Sequence, residues 1–196
     1  TTIKYDSNGT EKWVRKYYMN SISSDRGISM VSDALDNIYV SGVSRSHDGN
    51  LDFVTIKYSQ QGDSLWVRRF NGAANLDDVP SKMIIDSLGN IYVTGYSTKS
   101  NNVKEIITLK YSTSGQLLWI TNYNNPANLI GHYLVRDNNS SIYIAGSNLV
   151  SSNGNFTICI KYSQPIGIIS NSNEIPVNYM LYNAFPNPFN PVTNIK

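Results

Sequence analysis

Residues 27–70 read GISMVSDALDNIYVSGVSRSHDGNLDFVTIKYSQQGDSLWVRRF, and four short apolar or aromatic runs stand out in them: GISMVSD, NIYVSGVS, DFVTIKYS and SLWVRRF. Each run has the length of a strand and is bounded by polar residues that favour turns. ALD joins the first two runs and QQG the last two. Both are short enough for hairpins, and Gly62 is free to take the positive φ that such turns often need. The stretch predicts four antiparallel strands in chain order.

The same pattern recurs along the chain. TIKY at 2–5, TIKY at 55–58, TLKY at 108–111 and CIKY at 159–162 are offset by 53, 53 and 51 residues, and they carry Lys4, Lys57, Lys110 and Lys161. A glycine and then a tryptophan follow in phase: Gly9 and Trp13, Gly62 and Trp66, Gly115 and Trp119. A third marker, NIYVSG, NIYVTG and SIYIAG, ends at Gly42, Gly95 and Gly146, with Asp33, Asp86 and Asp137 four residues before each copy. Three markers sharing one period identify a tandem repeat. Four hairpin-linked strands per repeat predict the blade of a β-propeller. A solenoid is the competing architecture, but β-helix coils are much shorter, and helical repeats need a 3.6-residue periodicity that is absent here.

The expected fold is therefore all-β: a partial β-propeller of four-stranded antiparallel blades, about three blades plus part of another. A partial blade spans 1–18, full blades span 25–72 and 78–125, and a degenerate blade spans 129–170 with three clear strands, for which PIGIIS at 165–170 offers a fourth. Residues 164–175 read as a linker. Propellers close with about four to eight blades, and the first residues begin inside a repeat without an initiating Met, so the chain is expected to be a fragment of a larger protein.

The repeated residues read first as structure. Trp13, Trp66 and Trp119 share one phase of the outer strand, where a large ring covers the adjoining blade and its N–H finds an acceptor; sugar stacking is the functional alternative. Lysines inside apolar strands need acceptors, and Asp33, Asp86 and Asp137 are expected to supply them within or between blades. The loops before the innermost strands, SSDRG at 23–27 and NLDDVP at 75–80, open at one mouth of a propeller. There Asp25, Arg26, Asp77 and Asp78 are the candidate ligand-facing residues. Carboxylates suit Ca²⁺, but no D-x-D-x-D loop occurs, so solvated turn residues are the favoured reading and no cofactor is expected.

Composition narrows the function. The 196 residues carry 16 Lys plus Arg against 14 Asp plus Glu, a net charge of +2 with no basic footprint for nucleic acid. No apolar run reaches the ~18 residues that span a bilayer, and no signal peptide opens the chain. Cys159, the single cysteine, cannot form an intrachain disulfide and reads as a small buried strand residue. His47 and His132 are the only histidines and sit in unmatched loops, which gives a His-based metal site or charge relay little material. Asp77 and Asp78 are a pair of carboxylates of the kind glycoside hydrolysis uses, but nothing in the sequence positions them. No catalytic residues are nominated.

KYDSNGTEKW with DNIYVSG, KYSQQGDSLW with SLGNIYVTG, and KYSTSGQLLW with SSIYIAG resemble the bacterial seven-bladed β-propeller repeat family called SBBP. The likeness covers most of residues 1–163 and implies a secreted or surface propeller. The third copy departs from it by being two residues shorter and by lacking the loop Asp. A narrower likeness, to the tryptophan-docking repeat of quinoprotein dehydrogenases, rests on the Gly four residues before each Trp. Downstream, NYMLYNAFPNPFNPVTNIK resembles the start of the type A C-terminal sorting domain of type IX secretion. Leu181, Asn183, Phe185 and the run Pro186, Asn187, Pro188, Phe189, Asn190, Pro191 carry that resemblance. It implies that 176–196 opens a small β-sandwich sorting domain recognised by the secretion machinery.

Together these readings describe a secreted or outer-membrane-surface protein, a non-catalytic binding or scaffold module for an extracellular protein or glycan. Two alternatives remain: a propeller within a polysaccharide-active enzyme, and an adhesion spacer.

Overall fold

A computed structural model describes residues 1–18, 25–123, 128–148 and 156–163, together with the backbone of 179–183. These residues are all-β. Strands β1 (Thr2–Tyr5) and β2 (Glu11–Arg15) form a two-stranded sheet. Strands β3 (Arg26–Ser32), β4 (Ile38–Arg45), β5 (Leu51–Tyr58) and β6 (Ser64–Phe70) form the first four-stranded sheet. The second holds β7 (Asp78–Ile85), β8 (Ile91–Thr98), β9 (Lys104–Tyr111) and β10 (Leu117–Tyr123). In the third, β11 (Leu129–Arg136), β12 (Ile142–Asn148) and β13 (Thr157–Tyr162) are joined by β14 (Tyr179–Asn183). All neighbours are antiparallel and follow chain order, the build of successive propeller blades.

The core lies between sheets. One apolar cluster joins Tyr39, Phe53 and Trp66 of the first four-stranded sheet to Met83, Ile91 and Val93 of the second. Another joins Tyr92, Ile106 and Trp119 to Leu129, Leu134, Ile142 and Ile160. Central strands such as IYVTGYST and KEIITLKY are therefore buried on both faces, which is why their apolar runs are nearly continuous. Full burial of one such side chain stabilises by about 1.5–3 kcal/mol.

Each innermost strand carries a bulge at one place, between Gly27 and Ser29, Pro80 and Lys82, and Gly131 and Tyr133. Opposite it stand Gly42, Gly95 and Gly146. A Cβ on Gly42 or Gly95 would lie 2.1 Å from the carbonyl oxygen of Arg26 or Val79, and one on Gly146 would lie 2.5 Å from that of Ile130. No side chain fits where the bulged backbone folds onto its partner, which explains the repeated glycine.

The remaining markers form a clamp between consecutive sheets. Trp13 Nε1 donates to Gln60 O and Trp66 Nε1 to Thr113 O, each at 3.0 Å. Arg15 Nε donates to Gly62 O and Arg68 Nε to Gly115 O, each at 2.6 Å. Lys4 Nζ and Lys57 Nζ reach the same turns, at 3.2 Å from Gln60 O and 3.3 Å from Thr113 O. Gly62 and Gly115 have φ of +87° and +79°, and a Cβ on either would lie 2.8 Å from the Trp13 or Trp66 ring. Turn geometry and ring contact thus demand glycine independently. Each indole also meets the tyrosine that ends the next sheet's third strand, Trp13 with Tyr58 at 6.0 Å and Trp66 with Tyr111 at 6.3 Å between ring centroids. Trp13 and Trp66 occupy like environments, and their role here is docking one sheet on the next.

Asp33, Asp86 and Asp137 close the hairpins between the first two strands of each sheet. Each accepts two backbone N–H groups through Oδ1, and a tyrosine hydroxyl of the following strand at 3.1 Å through Oδ2. Lys57 Nζ lies 3.7 Å from Asp33 Oδ2 and 4.9 Å from the centroid of the Tyr39 ring, so the lysine sits among an acid, an aromatic face and the next sheet's carbonyl. Lys110 and Lys161 lie over Tyr92 and Tyr143 in the same way, at 5.0 and 5.2 Å.

Two features differ from expectation. The fourth place in the last sheet is taken by Tyr179–Asn183 rather than by PIGIIS, and the run 165–170 lies outside the described residues. Pro165 has no amide hydrogen for a ladder, whereas the aromatic-rich YMLYN suits an outer strand. Cys159 is half-buried rather than buried. It pairs with Ala145 where the other sheets pair Ser41 with Thr55 and Thr94 with Thr108.

Gly95→Ala forces a Cβ into the Val79 carbonyl and is expected to destabilise by about 3 kcal/mol in chemical denaturation. Trp66→Phe keeps most of the buried ring but leaves the Thr113 carbonyl without its indole donor; a loss of about 1 kcal/mol is expected by the same measurement.

Candidate functional site

The clamps and Asp-closed hairpins occupy one end of the sheets, as the hydrogen bond from Gln60 Nε2 to Asp36 Oδ2 between neighbouring turns confirms. At the opposite end the two five-residue hairpin loops, SHDGN at 46–50 and KSNNV at 99–103, differ in composition, and the connections between sheets differ in length, ten residues at 16–25, seven at 71–77 (NGAANLD) and five at 124–128. This end carries the candidate site.

The loop 71–77 is fastened from several sides. Asn71 Nδ2 donates to Asn75 Oδ1 at 2.6 Å, Asn50 Nδ2 to Asn75 O at 2.6 Å, and Asn75 Nδ2 to Asp48 Oδ2 at 3.3 Å. Asn75 has φ of +51°, a conformation Asn tolerates better than most residues. Beneath the loop, Arg69 Nη2 donates to Asp52 Oδ2 at 2.7 Å and to Ser44 O at 3.2 Å, and Arg69 Nη1 to Tyr17 Oη at 3.4 Å. Burial lowers the tendency of this guanidinium to hold its proton, but Tyr17 and Asp52 outweigh it and raise it on balance.

The four loop residues singled out from the sequence separate in space. Asp77 Oδ1 accepts the Leu51 N–H at 2.9 Å; Asn128 Oδ1 does the same for the Lys104 N–H at 2.8 Å one repeat later. Asp77 is thus a loop fastener that an uncharged residue replaces in the next copy. Asp78 is fully buried rather than ligand-facing, with Oδ2 accepting the Gly72 N–H at 2.5 Å. Burial pushes its carboxyl above the ordinary range, the Gly72 amide and Ser97 hydroxyl pull it back, and the Asp52 charge adds to the rise. Asp25 and Arg26 line a small cavity of about 30 Å³ with Tyr17 and Gly27, to whose lining neither Asp77 nor Asp78 belongs.

A larger opening lies beside the fastened loop. Ala73, Ala74, Ser97, Thr98, Lys99, Ser100 and Glu105 line a cleft of about 260 Å³. Thr98 Oγ1 donates to Asp77 O at 2.5 Å, and Glu105 Oε2 lies 3.6 Å from Lys99 Nζ and accepts from Asn122 Nδ2 at 3.0 Å. The wall therefore offers hydroxyls, a cation and an anion on a fixed frame, chemistry for a polar ligand. Sequence reasoning missed these residues because it followed the acids; the divergence of the loops between repeats was the available signal.

Among the described residues no group of three or more His, Cys, Asp or Glu is placed to hold a metal ion. His132 Nε2 lies 2.8 Å from Ser147 Oγ, and His47 is exposed on its loop. No helix among them is long and apolar enough to cross a membrane. The sorting run Pro186–Pro191 lies outside the described residues.

The buried Asp78 gives a signed pH dependence. Its folded pKa is raised, so its favourable contribution is full below the ordinary carboxylate value of 3.8 and is lost as pH rises through the folded value. Asp33 and Asp137 have the opposite sign. Burial opposes their charge, but the Asn37 and backbone donors around Asp33, and the Ser141, Tyr143 and Asn139 donors around Asp137, hold both carboxyls low. Asp78→Asn leaves those two untouched. The stability difference between variant and parent, measured by urea unfolding across pH, is expected to move in the variant's favour as pH rises above 3.8.

Comparison with known proteins agrees with the architecture. Residues 65–101, from a clamp strand through the fastened loop to the start of the cleft, match the family model described as Beta-propeller repeat, SBBP. In an alignment 135 positions long that covers 57% of the chain, the sequence is 30% identical to an uncharacterized WD repeat-containing protein of Acanthamoeba polyphaga mimivirus. The match covers 10% of that relative, so the chain spans only a small part of its length. The chain is thus similar to β-propeller repeat proteins where the family model matches, and its sheets have the form of their blades.

Proposed function

We propose that this chain is part of a non-catalytic β-propeller that binds or displays a partner outside the cell through its loop end. On this reading, the Pro186–Pro191 run belongs to a sorting segment for type IX secretion. One observation carries the binding reading: the two ends of the sheets are used differently. At the clamp end the turns 59–63 and 112–116 are spent on holding sheets together, in the same way in both. At the other end the loops vary and border the cleft of about 260 Å³. Variable loops on a rigid scaffold are where binding groups concentrate. Binding is favoured over hydrolysis because the adjacent acids Asp77 and Asp78 already accept the Leu51 and Gly72 amides. The cleft's hydroxyls and its Lys99–Glu105 pair suit an extracellular glycan or a polar protein loop. Export is supported by the resemblance of PNPFNP and its flanking residues to the sorting domain.

The test uses the intact protein on glycan arrays and in titrations with surface proteins. Micromolar binding is expected, weakened about tenfold by Lys99→Glu. No binding at about a hundred times that concentration, with surface display intact, makes the propeller a spacer instead. Replacing Asn187, Phe189 and Asn190 by Ala is expected to retain the protein inside the outer membrane; unchanged surface display ends the export reading.

A further inference from the structure

The last sheet completes itself in an unusual way. Elsewhere the third and fourth strands are joined by five-residue turns, 6–10, 59–63 and 112–116, each closed by two backbone hydrogen bonds. Between β13 and β14 there are sixteen residues. Closing a sixteen-residue connection costs more chain entropy than closing a five-residue turn, so the chain alone holds β14 to its partner less strongly. β14 has five residues, as β2 has, against seven in β6 and β10.

Its register nevertheless matches theirs. Lys4, Lys57 and Lys110 stand opposite Trp13, Trp66 and Trp119, and Lys161 stands opposite Met180. Thr55 stands opposite the clamp residue Arg68, and Cys159 opposite Tyr182. So β14 fills the fourth-strand site in phase but brings Met and Tyr to the positions where the first four-stranded sheet has the Trp and Arg that lock it to the next. The same five residues include Leu181 and Asn183, on which the likeness to the sorting domain partly rests.

We propose that the edge of β13 is a strand-accepting site and that Tyr179–Asn183 is its tethered, displaceable occupant. Pairing with β13 occupies one hydrogen-bonding edge of that backbone, and folding into a separate sorting domain takes the strand out of the blade. The last blade thus keeps the opening strand of the export segment until that segment is engaged, a consequence that rests on the export reading above. Strand addition to an exposed edge supplies the recognition through main-chain hydrogen bonds.

The single native cysteine makes the test clean. Register partners in an antiparallel pair have Cβ atoms about 4.5–5.5 Å apart, within reach of a disulfide. In the purified full chain, mild oxidation of Tyr182→Cys is expected to cross-link Cys159 about tenfold faster than in Leu181→Cys, whose position faces the other way. A fluorescent peptide of residues 176–186 is then expected to enter the reduced Tyr182→Cys protein and to enter the cross-linked one about tenfold less. Equal cross-linking in the two variants, or equal peptide uptake with and without the lock, overturns the proposal. In cells, the lock is expected to block surface display and reductant to restore it. If display instead ignores the Asn187, Phe189 and Asn190 substitutions while peptide exchange behaves as expected, the export reading fails and the strand-accepting site stands.

Discussion

An indole packed on a glycine turn is the contact on which this architecture depends. A single four-stranded sheet of this size has two apolar faces and cannot cover both by itself. Trp13 and Trp66 solve this by leaving their own sheet, donating to a carbonyl of the next, and lying against a residue that has no side chain. Arginine and lysine donate to carbonyls of the same turn. Because donors and acceptors belong to successive repeats, each copy is oriented by its neighbour. The apolar clusters consequently bridge sheets rather than fill them.

This docking sets the division of labour between the two ends. Turns at the clamp end must present carbonyls, a positive φ and a bare Cα in fixed places, so they have little freedom to vary. Loops at the other end carry no such obligation. They are instead fastened individually, by Asp77 on Leu51 in one repeat and Asn128 on Lys104 in the next, and they leave a polar cleft between a loop and a strand end. A scaffold of this kind separates stability from recognition, so binding chemistry can change without disturbing the sheets.

The last sheet shows what happens where the repeat runs out. Met180 and Tyr182 hold the register positions of the clamp's Trp and Arg, and the connection to β14 is more than three times the usual length. The ladder with β13 sets the register of the outer strand. A strand kept by backbone pairing is specific in register yet weakly secured, which is the combination an exchangeable element needs.

Much of this was legible in the residues. Period, strand number and the structural nature of the Lys, Trp, Asp and Gly markers follow from residue types recurring in phase, because local turn chemistry and side-chain alternation act over a few residues. Gly42 and Gly95 could be marked as special without coordinates, but only the fold shows the Arg26 and Val79 carbonyls that exclude a side chain. Asp78 was misread as facing a ligand because burial depends on which sheet lies above it. The cleft joins Ala73 to Ser97 and Glu105, and the source of β14 passed over the adjacent run in favour of one farther along the chain. Such juxtapositions arise from docking between elements distant in sequence, and no local pattern encodes them.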